Sequence, residues 1–148
     1  MGIISLASGS SCWRGLDYYK EKRVVELNKI NENEYSSFVK GTNNYNVHLD
    51  IEHPRKSLCD CPLANGKRII CKHIVATYFT AFPNEAVSFE EEQNRLQEEY
   101  EKEKEEEYDK VIKYLNRMSK QELIEELIQV FDYGPEWIYN DFAKRNLY

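Results

Sequence analysis

The chain is poor in glycine, with six among 148 residues. A phosphate-cradling loop draws on a cluster of glycines, and no such cluster is present, which excludes a P-loop. Long apolar runs are also missing. No stretch approaches the roughly 20 residues that a membrane span needs. The residues after Met1 are weakly apolar, but the run is short and has no basic leader, so no signal peptide is expected and the expected compartment is cytoplasmic. There is no internal repeat. Nucleophile and base residues are not paired at a useful spacing, and the serines Ser8, Ser10 and Ser11 around Gly9 form no recognisable nucleophile motif. The expectation is a protein that is not an enzyme. Cysteines are few, at four. A disulfide framework belongs to secreted domains, and nothing here marks secretion. Cys59 and Cys61 are too close to bridge each other comfortably, so a reduced, metal-binding set explains them better.

What is present suffices for one domain or two small ones. The composition is 41% apolar, enough for a core. The net charge of −6 is unevenly spread: residues 1–85 carry 11 Lys/Arg against 9 Asp/Glu, and residues 86–148 carry 9 against 17. This asymmetry divides the chain into 1–85 and an acidic, helix-rich 86–148. It also argues against a chain that simply coats DNA, because affinity for phosphates comes mainly from Lys and Arg.

The segment Ser5–Lys22 is read as a loop followed by a short helix near 14–21. Strand-like runs follow at 23–30, 35–41 and 45–52, separated by the turn-rich tetrapeptides NENE and TNNY. The last alternates, with Tyr45, Val47, Leu49 and Ile51 on one face and Asn46, His48, Asp50 and Glu52 on the other, the pattern of a half-buried antiparallel strand. Three strands bury little alone, so a cover is required. Residues 71–82 supply it, with Ile74, Val75, Tyr78, Phe79 and Phe82 at helical spacing and Pro83 as the stop. From Ser88 to Arg117 the chain is rich in Glu and Lys without Pro or Gly, which predicts a long solvated helix with a sparse apolar stripe. Ser119 and Glu122 form a capping-box pattern that starts another helix, with Leu123, Ile124, Leu127, Ile128 and Phe131 on its apolar face. Gly134–Pro135 ends that helix and opens a last one with Trp137, Ile138 and Phe142 inward. The C-terminal helices are expected to pack on each other.

Three of the four cysteines and one of the three histidines fall within fifteen positions, in SLCDCPLANGKRIICKHIVA. The spacing is C-x-C, nine residues, then C-x-H. Zinc takes four such ligands in a tetrahedron. The single intervening residue lets Cys59 and Cys61 turn toward a common point at a strand end or knuckle. Cys71 and His73 meet them where a loop enters a helix, and Pro62 with Asn65–Gly66 suits the reversal between. With all four positions supplied by protein, the site is structural and closed. Cys12 is far off in sequence and is read as a packed or free thiol. His48 and His53 are read as ordinary surface residues.

The pattern resembles the SWIM zinc-finger family, whose signature is C-x-C, a variable spacer and C-x-H. CKHIVA is similar to that family's C-K-H followed by an apolar helix, and RGLDYY and GTNNYNVHL resemble the region before the motif in bacterial members. The resemblance spans roughly residues 7–82. It implies an α+β fold, a small antiparallel three-stranded sheet and a helix pinned by structural zinc through Cys59, Cys61, Cys71 and His73. SWIM modules occur in helicase-like ATPases, plant transposases and proteins of recombination and signalling. They are credited with binding DNA or other proteins.

Two partner classes stay open. One is DNA or RNA, met by the basic cluster Arg55, Lys56, Lys67, Arg68 and Lys72, with Trp13, Arg14, Tyr18 and Tyr19 available for stacking. The other is a basic nucleic-acid-processing protein, met by Glu98, Glu99, Glu101, Glu103, Glu105, Glu106 and Glu107. In that case the chain is an acidic decoy inhibitor of the kind some phage-encoded anti-CRISPR proteins provide. No membrane and no small-molecule substrate is expected.

Overall fold

The computed structural model describes residues 2–148, which divide into two compact units, 2–94 and 95–148. The first unit begins with a short helix α1 (Ile3–Leu6) and a longer α2 (Gly9–Lys20). Four strands follow, β1 (Val24–Lys29), β2 (Glu34–Lys40), β3 (Asn44–Asp50) and β4 (Leu58–Cys59), and then α3 (Lys72–Ala81). The helix α2 starts five residues before the expected position. Ser8 caps it by accepting a hydrogen bond from the Ser11 amide, so the small residues that look like a loop form its first turn.

The sheet is antiparallel in the order β1-β2-β3-β4. It has four strands where three were expected. The fourth is only two residues long, too short to leave an alternation that could be read in advance. It exists because Asp60 holds it: Asp60 Oδ1 accepts from the Asn46 amide at 2.9 Å and Oδ2 accepts from Asn46 Nδ2 at 2.7 Å. One cross-strand row runs Leu27, Ser37, Val47, Cys59, so the register that buries the sheet also delivers the first cysteine to the inner face. A bulge between Val24 and Glu26 shifts the register with β2 by one residue, from Glu26↔Phe38 to Val24↔Val39.

Helix α3 covers that inner face. Ile74, Val75 and Phe79 are fully buried against Val39 and Leu49 of the sheet and Leu16 of α2. Where α2 crosses α3, Gly15 permits the approach, since a Cβ there would lie 2.5 Å from Val75 Cγ1. A polar link joins α3 to the sheet. The Thr77 hydroxyl donates to the His73 carbonyl at 2.9 Å, so the Ser37 hydroxyl, 2.6 Å away and buried, is the donor to Thr77 Oγ1. Helix α3 ends at Ala81, with Phe82 in a non-helical conformation. Pro83 stops that helix as expected, but the next one begins at once, five residues before the expected start at Ser88. Pro83 is the first residue of α4 (Pro83–Leu115), a position where its missing amide costs nothing. Phe89 of α4 packs on Phe79 and on the edge of Trp13, with centroids 5.7 Å apart in each case.

The second unit holds the rest of α4, then α5 (Lys120–Tyr133) and α6 (Glu136–Asn146). The capping box is present: Ser119 Oγ accepts from the Glu122 amide, and the Glu122 carboxylate accepts from the Ser119 amide. That pairing also holds the Glu122 carboxyl below its ordinary pKa. Phe131 of α5 packs on Tyr139 and Phe142 of α6, at 5.7 and 5.0 Å between centroids. The predicted inward position of Trp137 is overturned, since that side chain is 66% exposed. No residue of α5 is buried, although its apolar stripe is present. Among the described residues no helix is long and apolar enough to cross a membrane.

Candidate metal centre

Two short segments build the centre. The first is the end of β4 and the turn after it, which carry Cys59 and Cys61. The turn is tightened by the Cys61 carbonyl, which accepts from the amides of Ala64 (3.0 Å) and Asn65 (2.9 Å). The second is the start of α3, where Cys71 is the N-cap and His73 lies in the first turn. The C-x-H spacing therefore places one ligand just outside the helix and the other just inside.

The ligand atoms of Cys59, Cys61, Cys71 and His73 all lie within 4.8 Å of one another, and all four residues are buried. His73 presents Nδ1, which is 3.6 Å from Cys59 Sγ and 3.9 Å from Cys71 Sγ. A tetrahedral zinc ion, at about 2.3 Å from sulfur and 2.0–2.1 Å from nitrogen, sets a sulfur–nitrogen edge of roughly 3.6 Å. The donor set and its dimensions therefore fit zinc. The Cys71 thiol is drawn down by its hydrogen bond with Cys59, against the opposing effect of burial, with help from His73 and from the amides of Ile74 and His73. Cys59, the partner that keeps the proton, is pushed far up by that same hydrogen bond and by burial. A metal ion takes the place of that proton.

Residues outside the predicted ligand set orient the histidine. Tyr45 stacks on the His73 ring, with centroids 4.5 Å apart and planes at 26°, and Tyr18 packs at 5.4 Å. Nε2 is buried with no hydrogen-bond partner among the described residues. A Cβ added to Gly41 would lie 3.3 Å from it. The alternation of β3 marks Tyr45 as inward-facing, but nothing in the sequence ties Gly41 to a residue 32 positions later.

Residues 45–81 match the family model of the SWIM zinc finger. This segment, a quarter of the chain, is similar to that family. The match runs from β3 through α3 and includes all four ligands, and the finger's donor set and geometry make the centre a zinc site. No curated protein and no solved structure matches the chain.

The other predicted residues distribute as follows. Cys12 is buried in α2, where its thiol donates to the Ile4 carbonyl at 3.7 Å and burial raises its pKa, and it stands apart from the metal cluster. His48 lies 3.4 Å from Glu34, and His53 is exposed beside Asp50. Arg55 and Lys56 lie in a 3-10 turn, Pro54–Lys56, and face the same groove as Arg68 of the spacer loop, while Lys67 is exposed beside them. Lys72 is separated from these. Its Nζ donates to the Tyr18 hydroxyl at 2.7 Å and lies 4.3 Å from that ring's centre. Arg23 approaches the Tyr18 ring as well, at 4.5 Å, so Tyr18 is engaged by cations. Tyr19 packs on Phe79, and Trp13 is half-exposed. The glutamates from Glu98 to Glu107 are exposed along α4.

Proposed function

We propose that the zinc finger is a binding module that meets the phosphates of nucleic acid with the groove beside its metal centre, and that its role is non-enzymatic. The observation that supports this reading is an open groove of about 710 Å³ lined by His53, Arg55, Lys56 and Arg68, with Glu52 its one carboxylate. Leu6, Pro54 and Leu58 line it as well, giving bases an apolar surface beside the cations. Zinc fixes this arrangement indirectly. Arg55 and Lys56 precede β4, which ends in Cys59, and the turn that carries Cys61, and Arg68 lies on the loop between the two ligand pairs.

The test is fluorescence anisotropy of labelled single-stranded DNA, duplex DNA and RNA across a salt series. Three phosphate contacts give a slope of log K against log salt of roughly −2 on single strands and nearer −3 on duplex. The triple substitution Arg55→Gln, Lys56→Gln, Arg68→Gln flattens that slope and removes most of the affinity. Lys72→Gln leaves both nearly unchanged, because Lys72 is held on Tyr18. Binding that survives the triple change sinks the assignment of this groove.

A second reading is favoured by the seven exposed glutamates between 98 and 107: an inhibitor that occupies the phosphate-holding surface of a basic nucleic-acid enzyme. Its mark is a basic enzyme retained from lysate after nuclease treatment and lost when those glutamates are neutralised.

A further inference from the structure

The C-terminal unit has almost no interior. Of residues 95–148 only Ala143 is buried. Leu123, Ile124, Leu127 and Ile128 line one face of α5 and are 38%, 41%, 40% and 51% exposed. Helices of this length gain most of their stability from packing an apolar face, and here that face is open. An apolar stripe on α4 is open as well: Tyr108, Val111 and Ile112 are 65%, 49% and 37% exposed. Exposed apolar faces of this kind mark interaction surfaces.

Charge along the same segment points to what covers it. Residues 98–107 hold seven Glu against two Lys, and residues 108–120 hold four Lys/Arg against one Asp. A basic partner would satisfy the first run and be repelled by the second. A second copy running parallel would set like against like. A second copy running antiparallel sets each acidic run against the other chain's basic run, twice, as a two-fold axis requires. We propose that the C-terminal unit is a dimerisation element, in which two copies of this chain pair antiparallel along α4 and cover each other's open apolar faces.

The experiment is sedimentation equilibrium on the full zinc-loaded chain, up to about 100 µM. Wild type is expected at twice 17.6 kDa. The variant Lys110→Glu/Lys113→Glu/Arg117→Glu and the variant Glu103→Lys/Glu105→Lys/Glu106→Lys are each expected to dimerise at least tenfold more weakly. Mixed one to one, they are expected to form a heterodimer at least as tight as wild type. All six positions are exposed, so circular dichroism should show both variants folded. A wild-type chain that stays monomeric at the highest concentration overturns the proposal. So does a dimer indifferent to both reversals, or a mixture no tighter than its parents.

Discussion

Consider Gly15→Ala. Glycine inside a helix costs about 1 kcal/mol relative to alanine, so helix propensity alone says the change stabilises α2. The packing opposes this. The new Cβ would lie 2.5 Å from Val75 Cγ1, 2.6 Å from Val75 Cβ and 3.0 Å from the Lys72 carbonyl oxygen. Carbon atoms prefer about 3.5–4.0 Å, so the overlap is roughly 1 Å. A rotamer change moves Cγ1 but leaves Cβ and the carbonyl in place, and α3 must therefore shift as a body. Overpacking of this kind costs roughly 1–3 kcal/mol, which outweighs the helical gain. The shift also moves Cys71 and His73, whereas a zinc centre tolerates about 0.2 Å in its ligand distances. The expected result is lower stability in urea and weaker zinc binding in competition with a chromophoric chelator. Gly9 supplies the control. It is the first residue of the same helix and has nothing within 4 Å of a built Cβ, so Gly9→Ala is expected to be neutral or stabilising with zinc affinity unchanged. If Gly15→Ala is as stable as Gly9→Ala and holds zinc equally well, the argument fails.

Three further outcomes are expected. Cys71→Ser removes zinc and unfolds the first unit, because structural zinc contributes roughly 10–16 kcal/mol of apparent binding free energy and much of that is folding energy. Elemental analysis and near-UV circular dichroism check this, and a mutant that keeps one zinc and melts like wild type refutes the ligand assignment. Thr77→Val leaves the buried Ser37 hydroxyl without its acceptor and is expected to cost roughly 1–3 kcal/mol, while adding Ser37→Ala recovers much of the loss. Denaturant titration of the two variants decides it. The Glu122 carboxyl is held below its unfolded pKa by Ser119, so its support of α5 is fully present above the unfolded value and is lost as pH falls through the folded one. A pH titration of helicity is expected to show that acid loss in wild type and to lack it in Glu122→Gln.

The metal centre was almost wholly legible in the sequence, because zinc demands particular donors and the chain concentrates them in fifteen positions. The strands were legible for a similar reason: alternation over seven residues, as from Asn44 to Asp50, leaves a period-two trace. What escaped was set by contacts distant in sequence. The two-residue β4 is made by Asp60 reaching Asn46, and Pro83 reads equally well as the end of one helix or the start of another. The burial of the last helices was overestimated because periodicity marks an apolar face without saying that anything covers it. Trp137 is the clearest case. The basic cluster was legible as composition only, and the Lys72 contact with Tyr18 separates one member from the rest.

The nine residues between the two ligand pairs put only Ala64 and Ile70 into the core. At the tip of the loop, Gly66 has φ +70 and open space around it. Both ends are clamped at a metal-binding residue, and lengthening a flexible loop costs only about 0.6 kcal/mol per doubling. The spacer is thus a natural graft site. Added sequence at Asn65–Gly66 would be displayed beside Arg68 without disturbing the centre that supports it, so the span between the ligand pairs can diversify what the finger recognises while the scaffold stays constant.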